Sequence, residues 1–202
     1  MKDNSNKSKE IPVIILAAGL SSRMGVLKPF LKWDKQTTFL EKIILEYKLN
    51  SINEIVVVLN NEGYKQIKNE IPGIVNSINI IINETPEKGR MSSLKLGLKN
   101  LSMPTSCFIQ NVDNPFVTKE LLNTMNIITE PDTYIVPVYQ GKGGHPILLG
   151  KEIINNISLI DDSISDLRIL LKNFKRIEVE TNDKNILVNI NTLSDYQKYF
   201  EY

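Results

Sequence analysis

The chain is 202 residues long, 42% of its residues are hydrophobic, and its formal net charge is +1. A chain of this size and composition can bury a substantial core, which predicts one α/β domain. The balanced charge argues against nucleic acid and an anionic membrane as partners, because both require a strongly basic surface. No apolar stretch reaches the roughly 18–20 residues that a membrane helix requires.

The N-terminus and the cysteine content indicate where the protein works. Residues 1–10 are polar and lack the apolar centre of a signal peptide, which predicts a disordered lead-in to a domain spanning residues 11–202. Cys107 is the only cysteine, so neither an internal disulfide nor a zinc cluster can form, and its apolar neighbours predict a buried strand residue. These features suit the reducing cytoplasm.

Short apolar runs alternate with amphipathic stretches in the first half of the chain, which is typical of βα units around a mostly parallel sheet. The capping-box pattern from Thr38 to Glu41 predicts the start of a helix. The predicted strands are residues 11–18, 54–59, 78–82 and 106–112, and the other predicted helices are residues 64–71 and 91–101.

The second half is less regular, but no repeat or linker rich in Pro or Gly divides it. A box-like cap from Thr192 to Asp195 predicts a final helix. The remaining predictions are helices at residues 119–128 and 163–173, a strand at residues 133–138 closed by Pro137, and strands at residues 146–149, 176–180 and 186–188.

The first strand leads into the segment LAAGLSSRMGVLK, residues 16–28. Ligands bind at the carboxyl ends of strands in open α/β sheets, and small residues there let backbone N–H groups approach an anion. Arg23 and Lys28 would supply positive charge. The spacing excludes a Walker A loop, because five residues separate Gly19 from Gly25, and it excludes a dinucleotide fingerprint, because no glycine lies two residues after Gly19. A purely structural turn is the alternative.

Asp113 follows directly on a predicted buried strand. A carboxylate in this position can hold Mg²⁺, which takes few protein ligands and completes its coordination with water and substrate phosphates. Asp113 could equally cap the following turn, since Asp and Asn before Pro favour turns. The loop at residues 16–28 favours the metal interpretation.

Three further segments carry polar side chains that could contact a ligand. Ser92 and Ser93 open a predicted helix, where they could bind an anion or a base edge, or simply cap the helix. His145 is the only histidine and lies in the segment GKGGHP, where it could contact a ligand or be incidental. Asn189 and Asn191 share one side of an extended segment and could coordinate a metal or shape the next turn.

Five segments occur in the order LAAGLSSRMGVLK, KGRMSSLKLGL, DNPFVTKELL, VPVYQGKGGHP and NINTLSDY. They resemble the motifs of the MobA-like nucleotidyltransferases over about residues 12–196, and most closely those of the molybdenum cofactor cytidylyltransferases. The resemblance implies a single Rossmann-like nucleotidyltransferase domain with a mostly parallel mixed sheet and helices on both faces. It also implies Mg²⁺, a nucleoside triphosphate, a phosphorylated acceptor such as molybdopterin, and a molybdoenzyme or its chaperone as a partner.

The resemblance also assigns roles to individual residues. It assigns the nucleotide to Leu16, Ala17, Ala18, Gly19, Arg23, Lys28, Ser92 and Ser93. It assigns catalysis to Arg23, Lys28 and Asp113, Mg²⁺ to Asp113 with Asn191, and the acceptor to Gly144, His145 and Pro146. Many cytidylyltransferases carry aspartates where this chain has Asn189 and Asn191, which leaves Asp113 as the one acidic ligand.

The resemblance further implies a reaction. The terminal phosphate of molybdopterin would attack the α-phosphate of CTP in line, with release of pyrophosphate. The form LAAG favours CTP over GTP, because guanylyltransferases of the family typically carry LAGG. Two alternatives remain open: transfer to a sugar or polyol phosphate, and a non-catalytic accessory protein that binds a nucleotide or pterin during molybdoenzyme maturation.

Overall fold

The computed structural model describes residues 11–22, 24–102, 104–126, 130–160 and 166–200. The predicted lead-in at residues 1–10 and the candidate Arg23 lie outside the described residues. The strands are β1 (Val13–Ala17), β2 (Ile55–Leu59), β3 (Asn79–Ile82), β4 (Ser106–Asn111), β5 (Thr133–Tyr139), β6 (Lys142–Gly143), β7 (Ile147–Gly150) and β8 (Lys175–Glu180). The helices are α1 (Phe39–Leu49), α2 (Asn61–Glu70), α3 (Pro72–Val75), α4 (Arg90–Lys99), α5 (Lys119–Met125), α6 (Lys151–Leu159), α7 (Leu167–Leu171) and α8 (Leu193–Phe200).

The strands form one mixed sheet in the order β3-β2-β1-β4-β7-β5-β6, with β8 beside β5. β3, β2, β1 and β4 run parallel to one another, and so do β5 and β8. β7 lies antiparallel between β4 and β5. The predicted mostly parallel mixed sheet is confirmed, and the carboxyl ends of the first four strands meet at one edge, where such sheets bind ligands.

Helices cover both faces of the sheet because the central strands are apolar on both sides. Val13 and Ile15 contribute to one hydrophobic core with α1 and α5, whereas Ile14 and Leu16 contribute to a second core with α4 and α6. Gly97 brings α4 close to β1, since a Cβ atom there would lie only 2.7 Å from the Cγ2 of Ile14. The second half of α4 is therefore packed directly on β1.

Helix α1 begins where the capping-box pattern predicts. The N–H of Glu41 donates to the Thr38 hydroxyl at 3.3 Å, and the Glu41 carboxylate accepts the N–H of Thr38 at 2.8 Å. The buried face of the helix includes Ile43 and Tyr47. Two reciprocal bonds satisfy backbone donors that would otherwise lack partners at the helix start.

Two expectations for the second half are wrong, and one helix was not expected. Residues Lys184–Leu187 form a 3₁₀ helix instead of leading into a strand, because the Asp183 carboxylate accepts the N–H of Asn185 at 2.9 Å and caps the turn. Pro137 does not close its strand, since its carbonyl still accepts the N–H of Gly144 and β5 continues to Tyr139. Helix α6 is not predicted at all.

The described parts of the other predicted elements agree with the structure within a few residues. Residues 127–128 and 163–165, which belong to two predicted helices, lie outside the described residues. Cys107 lies in β4 and is fully buried as predicted, and burial raises the pKa of its thiol. None of the described helices has the length and apolar character needed to cross a bilayer.

Candidate active site

Two adjoining cavities lie beyond the carboxyl ends of β1 and β4. The first has a volume of about 420 Å³ and is bounded by residues 16–22 and Lys28; we call it the loop cavity. The second has a volume of about 900 Å³ and is bounded by Gly144 and His145; we call it the histidine cavity. Both volumes are typical of small-molecule sites. The described residues that line both cavities are Leu16, Gly89, Arg90, Asn111, Asp113 and Asn191.

The loop after β1 forms one wall of the loop cavity. The predicted nucleotide residues Leu16, Ala17, Ala18 and Gly19 all line it. The side-chain amide of Asn60, which also caps α2, donates to the Ala18 carbonyl at 3.2 Å and holds the loop in place. The backbone N–H of Lys28 donates to the Ser21 hydroxyl at 3.2 Å and closes the loop.

Lys28, Asp113 and Asn191 meet where the two cavities join. The Lys28 Nζ donates to the Asn191 Oδ1 at 2.7 Å and lies 3.4 Å from the Asp113 Oδ2. The other carboxylate oxygen of Asp113, Oδ1, is buried and has no hydrogen-bond partner among the described residues. An anionic oxygen held away from water without a partner is costly, so this oxygen is suited to a cation.

A divalent cation fits this arrangement. Within the described ranges, no three His, Cys, Asp or Glu side chains are grouped closely enough to hold a metal. Mg²⁺ needs no such group, because it commonly binds one or two protein carboxylates together with substrate phosphates and water. Asp113 offers an oxygen without a partner, and the Asn191 Oδ1, which already accepts from Lys28, has a second lone pair.

Asp195 fixes the backbone that carries Asn191. Its Oδ2 accepts the N–H groups of Asn191 at 3.0 Å and Thr192 at 2.8 Å, and its own N–H donates to the Thr192 hydroxyl at 3.1 Å. The bond from the Asn191 N–H is the main reason that the pKa of the Asp195 carboxyl is lowered. The predicted cap at the start of α8 is thereby confirmed, and it also orients a residue of the site.

Two of the three predicted acceptor residues line the histidine cavity. Gly144 and His145 line it, whereas Pro146 is buried and is not among its lining residues. Gly144 permits a close approach of two loops, since a Cβ atom there would lie 2.5 Å from the Ile186 carbonyl oxygen. The N–H of His145 donates to that same carbonyl at 3.1 Å, so the loop position depends on the glycine.

The Nε2 atom of His145 lies 3.1 Å from the side-chain amide nitrogen of Asn111. The pKa of His145 is lowered to about 4, mainly by burial and secondly by the positive charge of Arg90, while the Asp113 carboxylate opposes the shift. The imidazole is therefore neutral near pH 7 and accepts a hydrogen bond from Asn111.

We expect the free energy of unfolding to fall as the pH is lowered from 6.5 to about 4. In this window the unfolded chain binds a proton at His145 that the folded chain excludes, so acid favours unfolding. Urea unfolding measured across this range should show the loss, and the variant His145→Gln should show a smaller pH dependence. Because His145 is the only histidine, its NMR titration is unambiguous, and a ring pKa near 6.5 in the folded protein would contradict the expectation.

Three arginines that the sequence did not single out line the histidine cavity: Arg90, Arg168 and Arg176. Arg168 pairs with Asp166 at 2.7 Å and Arg176 pairs with Glu178 at 3.1 Å, while no described residue forms an ion pair with Arg90. They come from α4, α7 and β8, so no local motif connects them and only the fold brings them to one cavity. Asn111 was also given no role, although it lies only two residues before Asp113, at the end of β4.

The structure shows an α/β fold with two adjoining cavities at the carboxyl ends of its parallel strands, and comparison with known proteins gives its family. Residues 13–177 match the model of the MobA-like NTP transferase domain, and the chain belongs to this family of nucleotidyltransferases.

Two curated relatives match nearly the whole chain. The molybdenum cofactor cytidylyltransferase of Escherichia coli is 29% identical over 189 residues, which cover 92% of this chain and 93% of that protein. A probable molybdenum cofactor guanylyltransferase of Clostridium perfringens is 28% identical over 196 residues, which cover 91% and 92%. The crystal structure of Rv0371c from Mycobacterium tuberculosis superposes with a TM-score of 0.78 at 19% identity, covering 96% of this chain and 98% of that one, so the fold is shared.

Proposed function

We propose that this nucleotidyltransferase transfers CMP from CTP to the terminal phosphate of molybdopterin in the cytoplasm, with Mg²⁺ as cofactor and pyrophosphate as the second product. The observation that carries the proposal is the junction of the two cavities at Asp113 and Asn191, beside Lys28. A nucleotide in the loop cavity and an acceptor in the histidine cavity would place their reacting phosphates at this junction.

The loop cavity suits the nucleotide. The small residues Ala17, Ala18 and Gly19 line the cavity and would let backbone N–H groups approach a phosphate, and Lys28 supplies a compact positive charge. The predicted contribution of Arg23 to the triphosphate site remains part of the proposal.

The histidine cavity suits a large anionic acceptor. Arg90, Arg168 and Arg176 line it, and its volume is about twice that of the loop cavity. Because His145 is neutral, it adds no further positive charge and suits an uncharged, polar ring system. A phosphorylated pterin combines such a ring system with an anionic group that could meet the arginines. Gly144 and His145 would contact the acceptor directly.

The mechanism requires positioning and charge neutralisation more than covalent chemistry. A bound Mg²⁺ would supply a Lewis acid that neutralises charge on the phosphates. Asp113 would hold that ion through its open Oδ1, and Lys28 would leave Asn191 to donate to the phosphate oxygens that gain charge as the bond to pyrophosphate breaks. The attacking phosphate is already ionised, so no side chain has to act as a general base.

The choice of CTP rests on the LAAG segment, because relatives named cytidylyltransferase and guanylyltransferase are almost equally similar to this chain. A thermal-shift series with CTP, GTP, ATP and UTP in the presence of Mg²⁺ tests the choice. CTP should raise the melting temperature most, since a ligand at about 100 times its Kd stabilises the folded state by about 2.7 kcal/mol. A larger shift with GTP would overturn the nucleotide assignment.

Pyrophosphate release tests the acceptor. With CTP and Mg²⁺, release that requires molybdopterin supports the proposal, whereas release that requires a sugar or polyol phosphate assigns the site to that class of acceptor. Binding of nucleotide without release under any condition would indicate an accessory protein.

A further inference from the structure

Asn83, directly after β3, is fully buried, and its side-chain amide has a defined orientation. Its Oδ1 accepts the backbone N–H of Thr85 at 2.9 Å. Since a backbone N–H can only donate, this contact identifies the oxygen, and the Nδ2 atom must face the opposite way. There it donates to the hydroxyl oxygens of Ser92 at 3.0 Å and Ser93 at 2.9 Å.

The two serines differ in whether their hydroxyl protons have an acceptor within the protein. Ser92 donates its proton to the Gly89 carbonyl at 2.8 Å, so both its acceptor and its donor are used within the protein. Ser93 accepts from Asn83, and no described residue accepts its proton. Ser93 also lines the loop cavity, whereas Ser92 lines neither cavity. The Ser93 proton is therefore available for donation to a group bound in the loop cavity.

The position of this pair in the sheet indicates which part of a nucleotide it meets. The charged groups of the junction lie beyond β4 and β1, while Asn83 lies beyond β3, on the other side of β2. The backbone N–H of Asn83 donates to the Leu59 carbonyl at the end of β2, which anchors it there. The phosphates belong with Lys28 and Asp113, so the uncharged base belongs with Ser93.

We propose that Asn83 is a positioning residue that sets the hydrogen-bond polarity of Ser93, so that Ser93 donates to an acceptor atom on the base. The inference rests on the proposed function in one respect, that a nucleotide binds in the loop cavity. Cytosine presents a carbonyl oxygen and an unprotonated ring nitrogen side by side on its pairing edge. The pairing edge of guanine carries one acceptor, the O6 carbonyl, beside an N–H and an amino group that cannot accept the Ser93 proton, so guanine offers the serine fewer acceptors than cytosine does.

The variant Asn83→Asp reverses this polarity at almost constant shape. A carboxylate accepts the Ser93 proton, and the hydroxyl then offers only lone pairs to the cavity. We expect the Kd of CTP to rise about tenfold or more, because a base acceptor would be buried without a donor. Binding of pyrophosphate should be unchanged, since it has no base, and kcat at saturating CTP should change much less than KM.

The variant Ser93→Ala is a second test, and unlike Asn83→Asp it does not introduce a buried carboxylate. It should raise the Kd of CTP by a similar factor, and adding it to Asn83→Asp should cause little further loss, because both changes remove the same donated proton. Ser158→Ala is the matched control: it also removes a helix serine hydroxyl bonded to a carbonyl, that of Ile154, but Ser158 lines neither cavity. Its Kd for CTP should stay within about twofold of wild type.

The outcomes separate this inference from the proposed function. Wild-type affinity for CTP in Ser93→Ala, or full additivity in the double variant, would overturn the role of Asn83. If the wild-type protein binds pyrophosphate but no nucleoside triphosphate, the proposed function itself fails and the inference fails with it. If Asn83→Asp does not fold, Ser93→Ala against the Ser158→Ala control decides the question.

Discussion

Replacing Asp113 with asparagine is expected to lower turnover by about 10²–10³-fold, the range found when a group that stabilises transition-state charge is removed. Asparagine keeps the shape of the side chain but not the negative charge that the open Oδ1 atom offers to Mg²⁺. The measurement is pyrophosphate release across a Mg²⁺ titration, in which the variant should need far more metal and should not recover wild-type kcat.

The same substitution should leave the folded protein as stable as wild type, or more stable. Among the described residues, Asp113 forms one ion pair, at 3.4 Å from Lys28, and its other oxygen is buried without a partner, so its negative charge should contribute little to folding. Denaturant unfolding without metal should give a free energy within about 1 kcal/mol of wild type or above it. Glu152→Gln, the loss of an exposed carboxylate in α6, is the control for charge alone. Near wild-type turnover in Asp113→Asn would remove this residue from the mechanism.

Replacing Lys28 with alanine is expected to lower kcat by about 10²-fold at saturating substrate. The ammonium is held at the junction by Asn191 and Asp113, and no other described residue brings a lysine to that point. Lys28→Arg should recover only part of the loss, because the guanidinium is larger and spreads its charge over a planar fork. The readout is steady-state pyrophosphate release, with circular dichroism to show that the variant is folded.

A matched lysine lies outside both cavities. The Nζ of Lys48 donates to the Ser77 hydroxyl at 2.7 Å on the surface, so Lys48→Ala also removes a bonded ammonium. Its turnover should equal that of wild type. If Lys28→Ala and Lys48→Ala turn over equally fast, the phosphate-binding role of Lys28 is wrong.

The elements that could be predicted are those whose cause is local. The capping boxes at Thr38 and Thr192 each consist of a hydroxyl and a carboxylate three residues apart, and both boxes form as expected. Helix α6 was missed although Ile153, Ile154 and Ile157 have helical spacing. It begins at Gly150 without a side-chain cap and contains two asparagines, so the usual start signal and strong propensity are both absent.

The residues of the candidate site also fall into those that a local motif indicates and those that only the tertiary fold brings to the cavities. Lys28 and Asp113 lie in motifs, and the structure brings them together, although their chemical roles remain predictions. Asn83 and Arg176 lie in segments with no motif, and their relation to the cavities depends on sheet order and helix packing. Sequence spacing along one strand or helix carries no information about such relations.

The hydrogen bond between Lys28 and Asn191 joins residues separated by 163 positions along the chain. Closing so long a loop costs conformational entropy, so this contact depends on the folded elements that bring the two segments together. The junction therefore joins the loop after the first strand to the segment just before the last helix. A chain that ended before Asn191 would lack one of the three side chains that meet there.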